Sequence, residues 1–163
     1  MPKVLLGLGA NLGDREAALQ FVVDAMAKDF TNIRCSKVYE TPPWGVEDQP
    51  AFLNAVVVAE TRLSPSQVLD FGQACETKAH RTPDVRWGPR TLDVDVLAYG
   101  EVHQDDPRLM LPHPLAHLRA FVLMPLLDVE PDYLFRDLGF ARDLLNRIGD
   151  EGIVEVGTLR VPS

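Results

Sequence analysis

The first hundred residues alternate between short apolar runs and stretches whose apolar residues recur at helical spacing. The apolar runs are rich in valine or alternate with polar residues, and both features favour strands. Asp14 can cap the first helix, and a capping box at 64–67 opens the second. The predicted elements, in chain order, are a strand at 4–8, a helix from 14 to 30, strands at 33–39 and 52–60, a helix from 64 to 79 and a strand at 92–99.

This order, β-α-β-β-α-β, predicts an α+β fold, a ferredoxin-like sandwich with its helices on one face of the sheet. Beyond Gly100, several prolines interrupt the chain and predict a C-terminal extension of short helices and a strand that covers the sheet edge. The extension is expected to contain helices at 120–128 and 141–147 and a strand at 153–156. A chain of 163 residues can bury one sufficient core, so we expect a single domain over 1–163.

Composition is that of an ordinary soluble globular protein, with 46% hydrophobic and 25% charged residues. The net charge of −8 disfavours sequence-independent binding of nucleic acid. No apolar run approaches the ~18 residues of a membrane helix, and the N terminus turns polar too soon for a secretory signal peptide. Cys35 and Cys75 alone cannot build a disulfide framework or a four-ligand zinc site. We therefore expect a cytoplasmic protein with no nucleic-acid or membrane partner.

Two aspartates lie two residues apart in the predicted strand at 92–99. Side chains alternate along a strand, so Asp93 and Asp95 share one face, with their Cα atoms about 7 Å apart. Such a pair can hold one or two Mg²⁺ ions against a polyphosphate. The alternative is a half-exposed strand whose polar face is simply solvated.

A locally basic segment precedes these aspartates in a chain that is acidic overall. It contains Arg81, Arg86 and Arg90, and a Gly-Pro turn brings Arg90 to the start of the aspartate strand. Arginine side chains bind phosphate oxygens and aspartates bind the accompanying metal, so the two sets together favour a metal–polyphosphate ligand. The alternative is a salt-bridged loop in which Arg90 pairs with Asp93.

Residues suited to a planar heterocycle lie before and within the third predicted strand. The prolines at 42–43 stiffen the preceding loop and leave backbone carbonyls for the N–H groups of a ligand. Asn54 offers both an acceptor and a donor, and Phe52 offers a face on which a ring can stack. The alternatives are a simple connector for the prolines, a bulge for Asn54 and a core position for Phe52.

A pair of histidines has the spacing of a metal site, and a glycine-rich segment resembles a dinucleotide-binding motif, but neither is interpreted in that way. His113 and His117 have helical metal-ligand spacing, but prolines on both sides of His113 argue against a regular helix there. His113, in a loop beside Arg119, is a better candidate for a phosphate contact. The glycine-rich segment at 7–13 departs from a dinucleotide-binding motif by one position, and we interpret it as a tight turn from the first strand into the first helix.

Six motifs follow one another along the chain, and the most specific is Arg-Trp-Gly-Pro-Arg-Thr-Leu-Asp-Val-Asp at 86–95. The others are Gly-Ala-Asn-Leu-Gly-Asp at 9–14, Thr-Pro-Pro-Trp-Gly at 41–45, Phe-Leu-Asn-Ala at 52–55, Pro-His-Pro at 112–114 and Arg-Ala-Phe-Val-Leu at 119–123. Together they resemble the 6-hydroxymethyl-7,8-dihydropterin pyrophosphokinases of folate biosynthesis. The likeness runs from about residue 4 to about residue 135, which is most of the chain.

The resemblance implies transfer of the terminal pyrophosphate of ATP to the hydroxymethyl oxygen of the pterin, with release of AMP. It also implies the ferredoxin-like fold, two Mg²⁺ ions and a monomer. By position, Asp93 and Asp95 would be the metal ligands, and Arg81 and Arg90 would hold the transferred group as catalytic residues. The pterin site would comprise Thr41, Pro43, Trp44, Phe52, Asn54 and Phe121, and the ATP site Gln73, Glu76, Arg81, Trp87, Arg90, Arg108, His113 and Arg119.

The chain departs from the family's pattern at three positions. Pro83 stands where the family commonly has a second arginine of the loop that closes over ATP, so closure of that loop or its supply of arginines can differ here. Phe52 stands where tyrosine is frequent, a change that keeps the stacking face. Trp44 replaces what is often an aliphatic residue.

Three other functions stay open on the residues alone. One is a ferredoxin-like module that binds a small ligand without turnover, although it does not explain why arginines, aspartates and stacking residues converge. Another is an RNA-recognition sandwich, which the net charge and the acidic strand oppose. The third is a metal-dependent phosphohydrolase that uses Asp93 and Asp95 and needs no pterin.

Overall fold

An antiparallel sheet of six strands forms the centre of the computed structural model, which describes residues 1–11, 14–41, 51–80 and 92–162. The strands are β1 (Lys3–Ala10), β2 (Phe30–Cys35), β3 (Lys37–Thr41), β4 (Phe52–Thr61), β5 (Asp93–Tyr99), β6 (Gln104–Asp106), β7 (Leu109–Leu111), β8 (Leu134–Phe135), β9 (Gly139–Phe140) and β10 (Val154–Thr158). The α-helices are α1 (Arg15–Met26), α2 (Pro65–His80), α3 (Ala120–Val129) and α4 (Ala141–Ile148). The predicted α+β class is confirmed. No helix in the described ranges combines the length and apolar character that crossing a membrane requires.

The main sheet has the order β10-β3-β4-β1-β5, and β2 also pairs with β4. All of these pairings are antiparallel. The remaining strands form two small hairpins, β6–β7 and β8–β9. As a result β1 lies between β4 and β5, and side chains from these three strands meet on each face of the sheet.

The predicted strand at 33–39 is two strands, β2 and β3, which are separated at Ser36 and both pair with β4. Ser36 is buried, and its N–H donates to the Val56 carbonyl at 2.9 Å. Its hydroxyl accepts the Val56 N–H at 2.9 Å and donates to the Lys37 carbonyl at 2.7 Å. The serine therefore supplies the hydrogen bonds that a regular strand would have made to β4 at this point.

Both predicted helix caps are confirmed. The Ala17 N–H donates to Asp14 Oδ1 at 3.0 Å at the start of α1. At the start of α2, the Gln67 N–H donates to Ser64 Oγ at 3.2 Å, and the Ser64 N–H donates to Gln67 Oε1 at 2.8 Å. These bonds satisfy N–H groups that have no partner within their own helix.

The first helix is shorter than the apolar spacing predicts. It ends at Met26, and Phe30 is the first residue of β2, where it pairs with Thr61. Phe30 nevertheless belongs to the same buried core as Met26. The pattern thus predicted correctly that Phe30 is a core residue, but it was wrong to place Phe30 in the helix.

Helices pack on both faces of the sheet, whereas the pattern predicted a single helical face. One core joins Val4 and Leu6 of β1 to α1 and α2, and a second core joins Leu5, Val56 and Leu97 to α3 and α4. The central strands carry apolar side chains on both faces, and each face needs a covering layer. Of the C-terminal extension, β10 does cover the sheet edge by pairing with β3, while α3 and α4 cover the second face.

Replacing Ser36 with alanine should lower the free energy of unfolding by about 1–3 kcal/mol, because the buried Val56 N–H loses its acceptor. Urea denaturation measures the change. Ser66→Ala is the control, because its exposed hydroxyl accepts a bond from Arg108 alone within the part of the chain that the structure describes. Its stability should stay within about 0.5 kcal/mol of the wild type. A Ser36→Ala protein as stable as the control would contradict the role given to this hydroxyl.

Candidate active site

The sheet register brings the predicted site residues of β4 and β5 to opposite sides of β1. Each of two glycines of β1 has a β4 residue as its neighbour on one side and an aspartate of β5 on the other. Side chains of directly paired residues point to the same face of a sheet, here the face that α3 covers. The two rows are Asn54–Gly9–Asp93 and Val56–Gly7–Asp95.

A cavity lies over these rows, closed on its far side by the segment around the N-terminal end of α3. It holds about 130 Å³, against roughly 10–15 Å³ for a single water, so it has room for a small organic molecule. The predicted site residues that line it are Thr41, Phe52, Asn54, Asp93, Asp95, His113, Arg119 and Phe121. The remaining lining residues are Gly7, Leu8, Gly9, Ala55, Val56, Leu97, Ala116 and Val122.

The end of the cavity over β4 carries an oriented amide and an aromatic ring, and α3 contributes a second ring to the cavity wall. Asn54 is buried, and its Nδ2 donates to Thr41 Oγ1 at 3.1 Å, which fixes the orientation of the amide. Phe52 and Phe121 are both half-buried, Phe52 on β4 and Phe121 in the first turn of α3. The Arg119 guanidinium lies 5.6 Å from the centroid of the Phe121 ring. These groups can stack on a planar heterocycle and hydrogen-bond its edge.

The other end carries the two aspartates on β5. Asp93 is half-buried and Asp95 is exposed, and both line the cavity, as strand alternation predicts. Between them, the Val94 N–H donates to Glu76 Oε2 of α2 at 2.9 Å. Among the described residues β5 is the edge strand of the sheet, so this carboxylate accepts a backbone N–H that faces outward from the sheet. The bond helps to hold the aspartates in place.

His113 is held in one tautomer beside the aspartates. Its backbone N–H donates to the Leu97 carbonyl at 2.9 Å, and its Nδ1 accepts the Leu115 N–H at 3.1 Å. The hydrogen of the neutral ring is therefore on Nε2. Burial lowers the pKa of His113, the negative charge of Asp95 opposes this shift, and the positive charge of Arg119 adds to it. The ring is neutral at pH 7 and can donate one hydrogen bond.

Three residues predicted for ATP do not line this cavity. Gln73 is exposed on α2, and Glu76 contacts β5 as described above. Arg108 pairs with Asp70, and its Nη1 donates to Ser66 Oγ at 2.8 Å, so the guanidinium contacts the first turns of α2. Their assignment to ATP stays a prediction.

Other predicted residues lie outside the described residues. These are Pro43 and Trp44 of the proline loop and Arg81, Trp87 and Arg90 of the basic segment. Their roles remain expectations from the motifs that contain them, as does the effect of Pro83.

The glycines of β1 are the site residues that the sequence interpretation missed. Gly7 is inside β1, as the strand predicted at 4–8 has it, and Gly9 is also inside β1, so the interpretation of these glycines as a turn leading to α1 was wrong. A Cβ added to Gly9 would lie 3.2 Å from Asn54 Oδ1, and one added to Gly7 would lie 3.3 Å from Leu97 Cδ2. The signal was present in the sequence as two glycines at alternate positions of a strand, which indicates a close approach to the backbone on one face.

Comparisons with known proteins agree on one family. The model of the family 7,8-dihydro-6-hydroxymethylpterin-pyrophosphokinase (HPPK) matches residues 5–131. Several bacterial proteins named 2-amino-4-hydroxy-6-hydroxymethyldihydropteridine pyrophosphokinase are similar over most of their length. The protein of Methylorubrum extorquens is 40% identical over 96% of this chain and 99% of its own, and that of Pseudomonas aeruginosa is 40% identical over 93% and 94%. The protein of Mycobacterium tuberculosis is 44% identical over 80% and 74%.

Solved structures agree on the fold. Plasmodium falciparum HPPK-DHPS A437G with SDX-DHP matches with a TM-score of 0.75 at 15% identity, over 94% of this chain and 48% of that one. The S436F/A437G/A613T triple mutant with pteroate matches with a TM-score of 0.72 at 16% identity. This chain thus spans about half the length of those structures, and at such identity the likeness concerns the fold alone. From the family model and the bacterial relatives, the chain belongs to the HPPK family.

Proposed function

We propose that this chain transfers the terminal pyrophosphate of ATP to the hydroxymethyl oxygen of 6-hydroxymethyl-7,8-dihydropterin and releases AMP, a step of folate biosynthesis. The observation that carries the proposal is one cavity that has Asn54 and Phe52 at the end over β4 and Asp93 and Asp95 at the end over β5, with Phe121 also in its wall. A heterocycle at the first end would present its substituent toward a polyphosphate at the second. Membership of the HPPK family identifies the two substrates.

The pterin site of this proposal uses Phe52 and Phe121 as stacking faces and Asn54 to recognise the edge of the ring. Thr41 accepts one hydrogen of the Asn54 amide, which leaves Oδ1 to accept an N–H of the ligand. A neutral hydrogen bond of this kind contributes about 1 kcal/mol, and the stacking rings add to it. Two residues outside the described ranges are proposed to complete the pocket, Pro43 and Trp44.

Asp93 and Asp95 are proposed to hold Mg²⁺, with two ions expected alongside ATP. The donor set fits, because Mg²⁺ is usually bound by one or two carboxylates together with phosphate oxygens of the substrate. Bound Mg²⁺ supplies neutralisation of the phosphate charge. Glu76 accepts the N–H of Val94, the residue between the two aspartates, and the Val94 side chain packs in the core. Both contacts help to fix the position of the two carboxylates.

The transfer requires alignment and charge neutralisation more than a covalent nucleophile. The hydroxymethyl oxygen forms a bond to the β-phosphorus of ATP, and the bond from that phosphorus to the oxygen bridging to the α-phosphate breaks. AMP keeps the bridging oxygen, and the hydroxyl proton passes to water. Arg119, from the cavity wall, is proposed to hold phosphate oxygens during this step. Arg81 and Arg90, from the motif outside the described ranges, are proposed to share that role.

His113 is proposed as a hydrogen-bond donor to a phosphate oxygen and not as a general base. Its Nδ1 already accepts the Leu115 N–H, so protonation there would remove an existing bond. Its Nε2 carries the hydrogen and is free of that constraint. Burial keeps the pKa of His113 low, so the ring is a neutral donor at physiological pH.

The remaining ATP contacts are proposed to come from α2, from Arg108 in the turn between β6 and β7, and from Trp87. Arg108 would exchange its bonds to Asp70 and Ser66 for phosphate or ribose oxygens, which is possible because both partners are exposed. Gln73 is proposed to contact ATP from α2, as is Glu76. Trp87 is proposed from its motif alone.

We also propose that the core from β1 to β5 is a ferredoxin-like unit within a single domain over 1–163. The order β3-β4-β1-β5 supports this, once β2 and β3 are counted as one strand. We further propose that the chain works as a monomer in the cytoplasm, with no nucleic-acid partner. The net charge of −8 supports the last point.

The direct test incubates the purified protein with ATP, Mg²⁺ and 6-hydroxymethyl-7,8-dihydropterin and identifies the nucleotide product. AMP should appear only when the pterin is present. ADP, or hydrolysis without pterin, would instead indicate a phosphohydrolase on the same carboxylates. Binding of ATP without any turnover would favour a binding module.

Replacing Asp95 with asparagine should lower the turnover number by at least about 100-fold while leaving the fold intact, because a ligand for Mg²⁺ is lost from an exposed position. Steady-state assays and thermal unfolding measure the two effects. Asp105→Asn is the control, since Asp105 is an exposed carboxylate on β6 that does not line the cavity. An active, metal-dependent Asp95→Asn enzyme would overturn the assignment of this ligand.

Replacing Phe121 with alanine should weaken pterin binding by about tenfold and ATP binding by less than about twofold, because only the pterin loses a stacking face. Isothermal titration calorimetry with each ligand measures the two affinities. Phe21→Ala on α1, at the opposite face of the sheet, is the control for loss of a phenylalanine. Equal losses for both ligands would show that Phe121 does not face the pterin.

A further inference from the structure

Asn54 is held between two neighbouring strands, and among the described residues one of its two polar atoms has a hydrogen-bond partner. On the β3 side, Nδ2 donates to Thr41 Oγ1 at 3.1 Å. On the β1 side, Oδ1 faces Gly9, the residue with which Asn54 is paired in the register. The amide therefore spans from β3 to β1, with its acceptor over the glycine.

The space above Gly9 is just wide enough for this arrangement. A Cβ on Gly9 would lie 3.2 Å from Asn54 Oδ1, closer than nine in ten contacts made by real Cβ atoms. The amide cannot turn away without breaking its bond to Thr41. A methyl group at position 9 would therefore displace the acceptor, or cover the face through which a ligand reaches it.

Gly7 differs from Gly9 in what a side chain would meet. Its added Cβ would approach Leu97 Cδ2 at 3.3 Å, so it would press on an apolar side chain of the buried core and not on a polar group. At Gly9 the added Cβ would instead approach a polar atom, Asn54 Oδ1, and the amide that carries this atom is held by the bond from Nδ2 to Thr41. The constraint on Gly9 is thus specific to the orientation of Asn54.

We propose that Gly9 is a positioning residue that acts through Asn54 and determines whether the cavity can recognise the pterin edge. This inference rests on the proposed function and adds to it a residue with no side chain of its own. Gly9 makes no bond to substrate in this account. It leaves the acceptor of Asn54 uncovered and in place.

If Gly9 has this positioning role, replacing it should weaken pterin binding without a comparable loss of stability. A purely structural role would lower both together. Glycine weakens the interior of a strand, and alanine or valine at a compatible position restores strand propensity. In Gly9→Ala this gain offsets part of the cost of displacing the Asn54 amide, so the midpoint of thermal unfolding should fall by no more than about 4 °C. The same variant should lose affinity for the pterin.

The test measures the dissociation constant of 6-hydroxymethyl-7,8-dihydropterin by calorimetry, with Mg²⁺ and a non-hydrolysable ATP analogue present. For Gly9→Ala we expect an increase of about tenfold, the value of one lost hydrogen bond. Binding of the ATP analogue should change by less than about twofold. In turnover assays the KM for the pterin should rise while kcat stays within about twofold.

Gly157→Ala is the matched control, since Gly157 is a strand glycine of β10 whose added Cβ would make only an ordinary contact, 3.8 Å from Glu16 Oε1.

A double-mutant cycle with Asn54→Ala tests the route of the effect. If Gly9 acts through Asn54, Gly9→Ala should change the pterin affinity by less than about twofold once Asn54 is alanine. A full tenfold effect in that background would overturn the inference, because the methyl group would then obstruct the ligand directly. Wild-type pterin affinity in Gly9→Ala would overturn it as well.

Failure of the inference and failure of the proposed function give different results. A wild-type protein that forms AMP, together with a Gly9→Ala variant that binds pterin equally well, overturns only the role of Gly9. A wild-type protein that binds pterin without forming AMP overturns the transfer reaction, while the variants still decide the role of Gly9. A wild-type protein that binds no pterin overturns both.

Discussion

The pairing of β1 with β4 on one side and β5 on the other is the constraint on which the rest of the site depends. It places Asn54 and Asp93 on either side of a single glycine. Neighbouring strands are about 4.8 Å apart, so the two side chains are separated by about twice that distance. A slip of one residue in either pairing would turn Asn54 or both aspartates to the opposite face. The apolar residues that alternate with them in the core hold that register, so stability and site geometry share one cause.

The wall opposite the sheet depends on how α3 is attached. Its C-terminal end is fixed to the sheet by the Tyr39 hydroxyl, which donates to Asp128 Oδ2 at 2.7 Å, and by Arg34 Nη1, which donates to the Val129 carbonyl at 2.8 Å. Burial and then the bond to Asp128 raise the pKa of Tyr39, so this hydroxyl stays a donor. The opposite end of α3 carries Phe121 into the cavity. The contacts at the far end of α3 thus help to hold the helix that brings Phe121 to the cavity wall.

The sequence was informative wherever a feature depends on residues close together in the chain. Strand alternation placed Asp93 and Asp95 on one face, and local capping patterns located the starts of α1 and α2. Features that depend on pairing between distant segments were not accessible in this way. The separation of β2 from β3 at Ser36 depends on Val56, and the role of Gly9 appears only once β1 is seen between Asn54 and Asp93. The second helical layer was missed for the same reason, because periodicity shows that a strand is apolar on both faces but not which helix covers each.

The proposed function joins the aspartates of β5 and their cation into one unit. Two carboxylates on the cavity face of β5 add negative charge beside the proposed polyphosphate, in a chain whose net charge is already −8. Among the described residues of the cavity wall, Arg119 and the hydrogen-donating His113 can bind phosphate oxygens. A divalent cation between carboxylates and phosphates changes the sign of the interaction, so in this proposal the aspartates favour the metal complex of the nucleotide. The proposal therefore implies that nucleotide binding depends on the metal more than pterin binding does, because Asn54 and the phenylalanines proposed for the pterin are uncharged.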